Sequence, residues 1–230
     1  MGQITLPGNP PIFVTLRRSA RARRLSLRLS QLDGRVTLTL PKRLPEREAI
    51  CFLQEKEDWL RGHLEARGDD VTVGPGALLP IEGVLHEIRP SSGRSVRLEP
   101  GAVLVPGEAE QIPVRLRAFL RTLARERLAA ASDRHSATLG RPYSRLTLRD
   151  TRSRWGSCTM DGALMYSWRL ILAPPEVLDY VAAHEVAHLA EMNHSAAFWS
   201  VVERLYGDWQ TPRRWLREEG ATLHRYRFGD

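Results

Sequence analysis

Between residues 13 and 40, apolar and polar positions alternate with the two-residue period of half-buried strands. Residues 13–17, 25–29 and 36–40 each read as a strand, and Asp33-Gly34 is a tight-turn signal between the last two. Pro41 and Pro45 stop the sheet, and the period then lengthens. Ile50, Leu53, Trp59, Leu60 and Leu64 fall on or near one face of a predicted helix over about 46–66. The stretch 68–76 is rich in Gly and Asp and reads as a loop or linker. Short strands are expected around 81–88, 96–98 and 103–105, separated by Gly and Pro. Leu116, Leu120, Leu123 and Leu128 then recur at helical spacing, which predicts a long helix over about 113–137 with Gly140 just past its end. The chain shows no sequence repeat.

The last third patterns differently. A strand at 145–149 leads into a polar loop, 150–159. Asp161-Gly162 marks a turn, and 163–168 reads as a second strand. Pro174-Pro175 opens a helix expected to run through about Met192. Asn193 is suited to end it in a left-handed conformation, Ser195 to cap the next helix over 196–206, and Gly207 to close that one. A last helix starts near Pro212. The fold class expected is α+β: a β-rich N-terminal region with one helix, 1–108, followed by a second domain, 109–230.

Composition narrows the class. Apolar residues make up 42% and charged residues 27%, the balance of an ordinary globular chain long enough to build a core without staples. Two cysteines, Cys51 and Cys158, are too few for a secreted disulfide framework. No stretch approaches 18 apolar residues and the first residues lack a signal-like apolar core, so the expectation is a cytoplasmic protein without a membrane partner.

Chemistry concentrates at His184-Glu185-Val186-Ala187-His188, inside the predicted helix. Histidines four apart project from one helical face, close enough to share one ion. Glu185 stands about 100° around the helix, beside a metal and not on it, where it can take a proton from water. Leu178, Ala182, Val186 and Leu189 cluster opposite, so a core face and a ligand face are expected to be separate. A catalytic zinc site needs a third protein ligand and an open position. His194 follows where a turn can swing it back and is favoured on that ground. Glu191, seven residues after His184, and Glu203, on the next helix, are the alternatives. Three histidines with a carboxylate favour zinc, one ion, over other divalent cations.

The ordered series Arg154-Trp155-Gly156-Ser157-Cys158, Tyr166-Ser167-Trp168-Arg169-Leu170, Tyr180-Val181, His184 to Leu189 and Asn193-His194-Ser195 with Phe198-Trp199 resembles the YgjP-like metallopeptidase family, which is similar to SprT-like and WLM zincins. The resemblance is strong over the C-terminal half and weaker over the N-terminal sheet. It implies a small zincin-like core with an active-site helix on a few-stranded sheet. It also implies zinc ligands at His184, His188 and His194, and a general base at Glu185. It places Arg154 and Ser157 near the site, where Arg154 would bind a carboxylate, phosphate or oxyanion, or else form a structural ion pair. The function expected is a zinc-dependent hydrolase, a metallopeptidase acting on peptides or unfolded protein. A nucleotide pyrophosphatase and a nucleic-acid-associated SprT-like protease are the alternatives.

Charge adds one further expectation. The net charge is +7. Arg17, Arg18, Arg21, Arg23, Arg24 and Arg28 alternate with small and apolar residues, so a strand pair would gather them into one basic face. Such a face suits weak nucleic-acid binding or the phosphates of a nucleotide, although a solvated face is the plainer account. His63, His86, His135 and His224 have no partners at ligand spacing.

Overall fold

The computed structural model describes residues 2–30, 34–67 and 69–229. The chain divides into two compact units, one ending at Asp69 and one beginning at Asp70.

The first unit is a four-stranded sheet with helices on one face. Its strands are β1 (Gly2–Leu6), β2 (Ile12–Ser19), β3 (Ser26–Leu29) and β4 (Val36–Pro41), in the order β1-β2-β4-β3. The β2 and β4 strands pair in parallel, and the outer strands are antiparallel to them. The turn signal at Asp33 lies outside the described residues. The single helix expected over 46–66 is two, α1 (Glu46–Glu55) and α2 (Glu57–Arg67). At Lys56 the backbone N–H is shared between the carbonyls of Phe52 and Leu53, and the helical phase shifts there. Ala49, Leu53 and Leu60 therefore reach the core with Val14, Leu16, Val36 and Leu38. Ile50 and Trp59, expected on that face, are exposed.

The second unit repeats the arrangement. After β5 (Val71–Thr72), strands β6 (Leu78–Ile81), β7 (Val84–Ser91), β8 (Arg97–Glu99) and β9 (Ala102–Pro106) form a sheet in the order β6-β7-β9-β8. Here β7 and β9 are parallel and the outer strands antiparallel, as in the first sheet. The repeat lies in pairing and register, not in residue identity, which is why the sequence does not display it. The strand expected over 81–88 is instead a hairpin. Glu82 and Gly83 both have positive φ (51° and 78°), the conformation of a two-residue turn that matches strand twist. Glu82 is held there by an ion pair with Arg127 at 2.6 Å.

Helix α3 (Ile112–Leu139) follows, opened by Pro113 and ended by Gly140 in the left-handed conformation. Its buried residues Leu116, Leu120, Ala124, Leu128 and Ala131 join Leu79, Ile88 and Val103 of the second sheet in one core. Residues 70–108 thus share their core with α3, and the compact units divide at 69/70 where the sequence suggested 108/109. A three-stranded sheet, β10 (Arg145–Arg149), β11 (Gly156–Cys158) and β12 (Ala163–Ser167), has β12 in the middle and β11 at an edge. Helices α4 (Pro175–Ala187), α5 (Ala196–Tyr206) and α6 (Gln210–Glu218) complete the unit. Strand β13 (Tyr226–Arg227) pairs back in parallel with β5. No helix among the described residues is long and apolar enough to cross a membrane.

Candidate metal centre

Helix α4 is the central element. The expected division into core face and ligand face gives way to burial nearly all round, because α3, α5, α6 and β11 all pack against it. It ends at Ala187 and not near Met192. His188 is its C-cap, and Leu189 and Ala190 continue in tighter, three-residue hydrogen-bonded turns. Asn193 is not left-handed; its side chain accepts a hydrogen bond from the Ser195 N–H. Ser195 caps α5 as expected, accepting from the Phe198 N–H.

The early helix end brings His194 back over His184 and His188. The three imidazoles offer nitrogens that all lie within 4.8 Å of one another. His184 Nε2 and His194 Nε2 approach to 3.1 Å. Neither Glu191 nor Glu203 belongs to this cluster. The Glu191 carbonyl instead accepts a hydrogen bond from His188 Nδ1 at 3.0 Å, which leaves His188 Nε2 bare and fixes the ring.

Phe198 is the buried wedge beneath the cluster. Its ring lies 4.5 Å from that of His188, 4.8 Å from His194 and 4.9 Å from His184, centroid to centroid. Aromatic residues near the motif read from sequence as core packing. The signal that could have found this one is its place four residues after His194 on the helix that Ser195 caps.

The histidines face an open cleft of about 460 Å³, lined also by Ser153, Arg154, Gly156, Ser157, Cys158, Glu185 and Met192. Arg154 and Ser157 are therefore at the site. No carboxylate pairs with Arg154 among the described residues, so the structural ion pair is not formed. Sequence reasoning passed over Gly156. A Cβ there would lie 2.6 Å from both Cγ and Oε1 of Glu185, so only glycine lets this carboxylate occupy its place. Strand β12 is internal, and the edge facing the cleft is β11.

The electrostatics ask for a cation. Burial pushes the Glu185 carboxyl up to about 8, opposed by the charge of Arg154. Burial, then the neighbouring His188 and His194, depress His184 to about 3. Burial likewise lowers His188. These two imidazoles are thus neutral at physiological pH, the form that ligates metals. His184 Nδ1 is buried with no hydrogen-bond partner, while Nε2 confronts another imidazole nitrogen. Protein groups alone leave that Nδ1 unsatisfied, at about 1–3 kcal/mol.

Three converging imidazoles beside a buried carboxylate form a donor set of the kind used by metal-dependent hydrolases. The model of the YgjP-like metallopeptidase domain matches residues 23–219, and the chain belongs to that family. Membership implies a divalent metal, and the site fits one: imidazole nitrogens converge, and His184 Nδ1 is buried without a hydrogen-bond partner. Among solved structures the chain is similar to the metallopeptidase zymogen abylysin of Pyrococcus abyssi, at 18% identity and a TM-score of 0.37. That match covers 40% of this chain and 95% of the other. No curated protein matches the chain.

Proposed function

We propose that the protein is a zinc-dependent metallopeptidase in which His184, His188 and His194 hold one zinc ion and Glu185 is the general base. The observation that carries this reading is the convergence of three imidazoles within 4.8 Å beside a buried carboxylate, in a cleft open to solvent. When bound, the ion supplies Lewis-acid polarisation of the scissile carbonyl and ionises water near neutrality. A cation held by these histidines would act on Glu185 in the same direction as Arg154, which favours the carboxylate form.

Glu185 accepts the proton of the attacking water and delivers it to the departing amine, ending in the state it began. Gly156 leaves room for the carboxylate to do so. Arg154, which has no ion-pair partner among the described residues, would meet the developing oxyanion or a substrate carboxylate. The β11 edge, with Gly156, Ser157 and Cys158 on the cleft, offers backbone groups along which an extended peptide can lie.

The test is hydrolysis of an unfolded protein and a peptide pool by zinc-loaded protein, with Glu185→Gln as the comparison and nucleoside triphosphates as a parallel substrate. Peptide cleavage that falls at least about 100-fold in the variant, with zinc content unchanged, supports the reading. Pyrophosphate release without peptide cleavage replaces it with nucleotide hydrolysis, chemistry that Arg154 would serve equally.

A further inference from the structure

The two four-stranded sheets share strand order and register, so their outward faces can be compared position by position. Pairing of Arg17 with Thr39 and of Arg28 with Thr37 in the first sheet corresponds to Arg89 with Leu104 and Glu99 with Ala102 in the second. Thr15 likewise corresponds to Glu87. In the second sheet the outward face is charge-balanced, and Glu87 pairs with Arg89 at 2.6 Å. In the first, threonine replaces one carboxylate and arginine the other.

The contrast extends beyond the face. Residues 12–43 hold nine basic side chains and one acidic one, which accounts for the net charge of the whole chain. Arg21, Arg23 and Arg24 lie exposed in the connection from β2 to β3. Among the described residues no carboxylate pairs with Arg17, Arg21, Arg23, Arg24 or Arg28, whereas Arg89, Arg127, Arg134 and Arg169 of the second unit all have one. Like charges gathered without counter-charge repel one another, a cost that a polyanion removes.

We propose that the outward face of the first sheet binds single-stranded nucleic acid. Arg17 and Arg28 stand on two strands of a surface on which Thr15, Thr37 and Thr39 also face outward and offer hydroxyls to phosphates and base edges. Phe13, 58% exposed on the same face and two residues before Thr15, presents a ring on which a base stacks. A membrane surface would call for several apolar side chains among the cations, and this face has Phe13 alone. A duplex would present its bases paired and give that ring nothing to stack on. The proposal does not depend on the peptidase reading.

The test uses the full chain and a fluorescein-labelled 20-nucleotide oligo(U), titrated by anisotropy at several salt concentrations. A duplex of equal length and phosphatidylserine vesicles serve as competitors. Binding at 50 mM salt is expected. Arg17→Glu with Arg28→Glu should weaken it at least tenfold and reduce the salt slope by about 1.4, or about 0.7 per lost phosphate contact. Phe13→Ala should weaken binding about fivefold or more with the slope unchanged. Arg89→Glu with Arg97→Glu, the same charge change on the second sheet, should leave affinity within twofold. All five positions are exposed, and circular dichroism of each variant checks the fold. No binding at 50 mM salt, equal loss from both double variants, or stronger competition by duplex or vesicles would overturn the proposal.

Discussion

Glu185 owes its position to an absence. The missing side chain at Gly156 is the space its carboxylate fills, so the place of this carboxylate is held by a residue with no chemistry of its own. Gly156→Ala forces either the strand or the carboxylate to move, and α4 is packed nearly all round. The expected outcome is a destabilisation of about 1–3 kcal/mol in urea denaturation. Hydrolysis should fall about 100-fold with zinc stoichiometry intact, because misplacing a reacting group by about 1 Å costs that much. Loss of metal together with activity would show that the glycine supports the ligands and not the base. His194 illustrates the converse. Its identity as the third nitrogen is visible in the sequence, but its approach to His184 exists only because the chain leaves the helix at His188.

At the scale of elements, α4 and α5 make the centre together. The first carries His184, Glu185 and His188; the loop between them carries His194; and the second sends Phe198 beneath all three rings. Phe198 is wholly buried, so Phe198→Ala leaves a cavity worth about 3–5 kcal/mol of stability. The imidazoles would lose the surface that orients them, and zinc affinity should drop by about 10–100-fold, the range for groups that support ligands. Competition with a chromophoric chelator measures it. Phe198→Leu, which refills most of the volume, should recover stability more than affinity. The C-terminal elements are tied to the same unit by Arg169. Its guanidinium donates to Asp150 and to the carbonyls of Leu223 and Tyr226. Burial acts to raise the Asp150 carboxyl, yet the hydrogen bond and charge of Arg169 outweigh it and hold that carboxyl low.

For the molecule as a whole, two cores sit in two units, and no residue of one cluster belongs to the other's compact unit. A chain beginning at Asp70 should therefore fold by itself. A single cooperative thermal transition and one bound zinc per chain are expected. A molten far-ultraviolet signature without a transition would show that the second unit needs the first. Acid sensitivity should come largely from buried histidines. Burial, then Arg169, depresses His224 to about 4, so it stays neutral when folded. An unfolded histidine takes up a proton near pH 6.5. The unfolded state then binds more protons between about pH 6.5 and about pH 4, and stability is lost as the pH falls through that window. In metal-free protein, His224→Gln should flatten the decline of the urea midpoint between pH 6.5 and 4.5. An unchanged slope would move the effect to His184 and His188.

Local pattern was enough to locate most strands and helices, the capping of α5 by Ser195, and the residues that compose the centre. These depend on period, turn chemistry and spacing, which are properties of neighbouring residues. What lay beyond reach depends on contacts between distant segments. The division at 69/70 follows from which core α3 joins. The early end of α4 follows from packing around it. The doubled sheet topology lives in pairing, where Arg28 and Glu99 can occupy equivalent places without resembling each other. The cluster shows both sources at once: His184, Glu185 and His188 were legible because a helix sets their spacing, and His194 because a turn after that helix could return it, while the parts played by Gly156 and Phe198 entered only through the folded chain, since the space beneath a side chain is set by whatever the fold brings there.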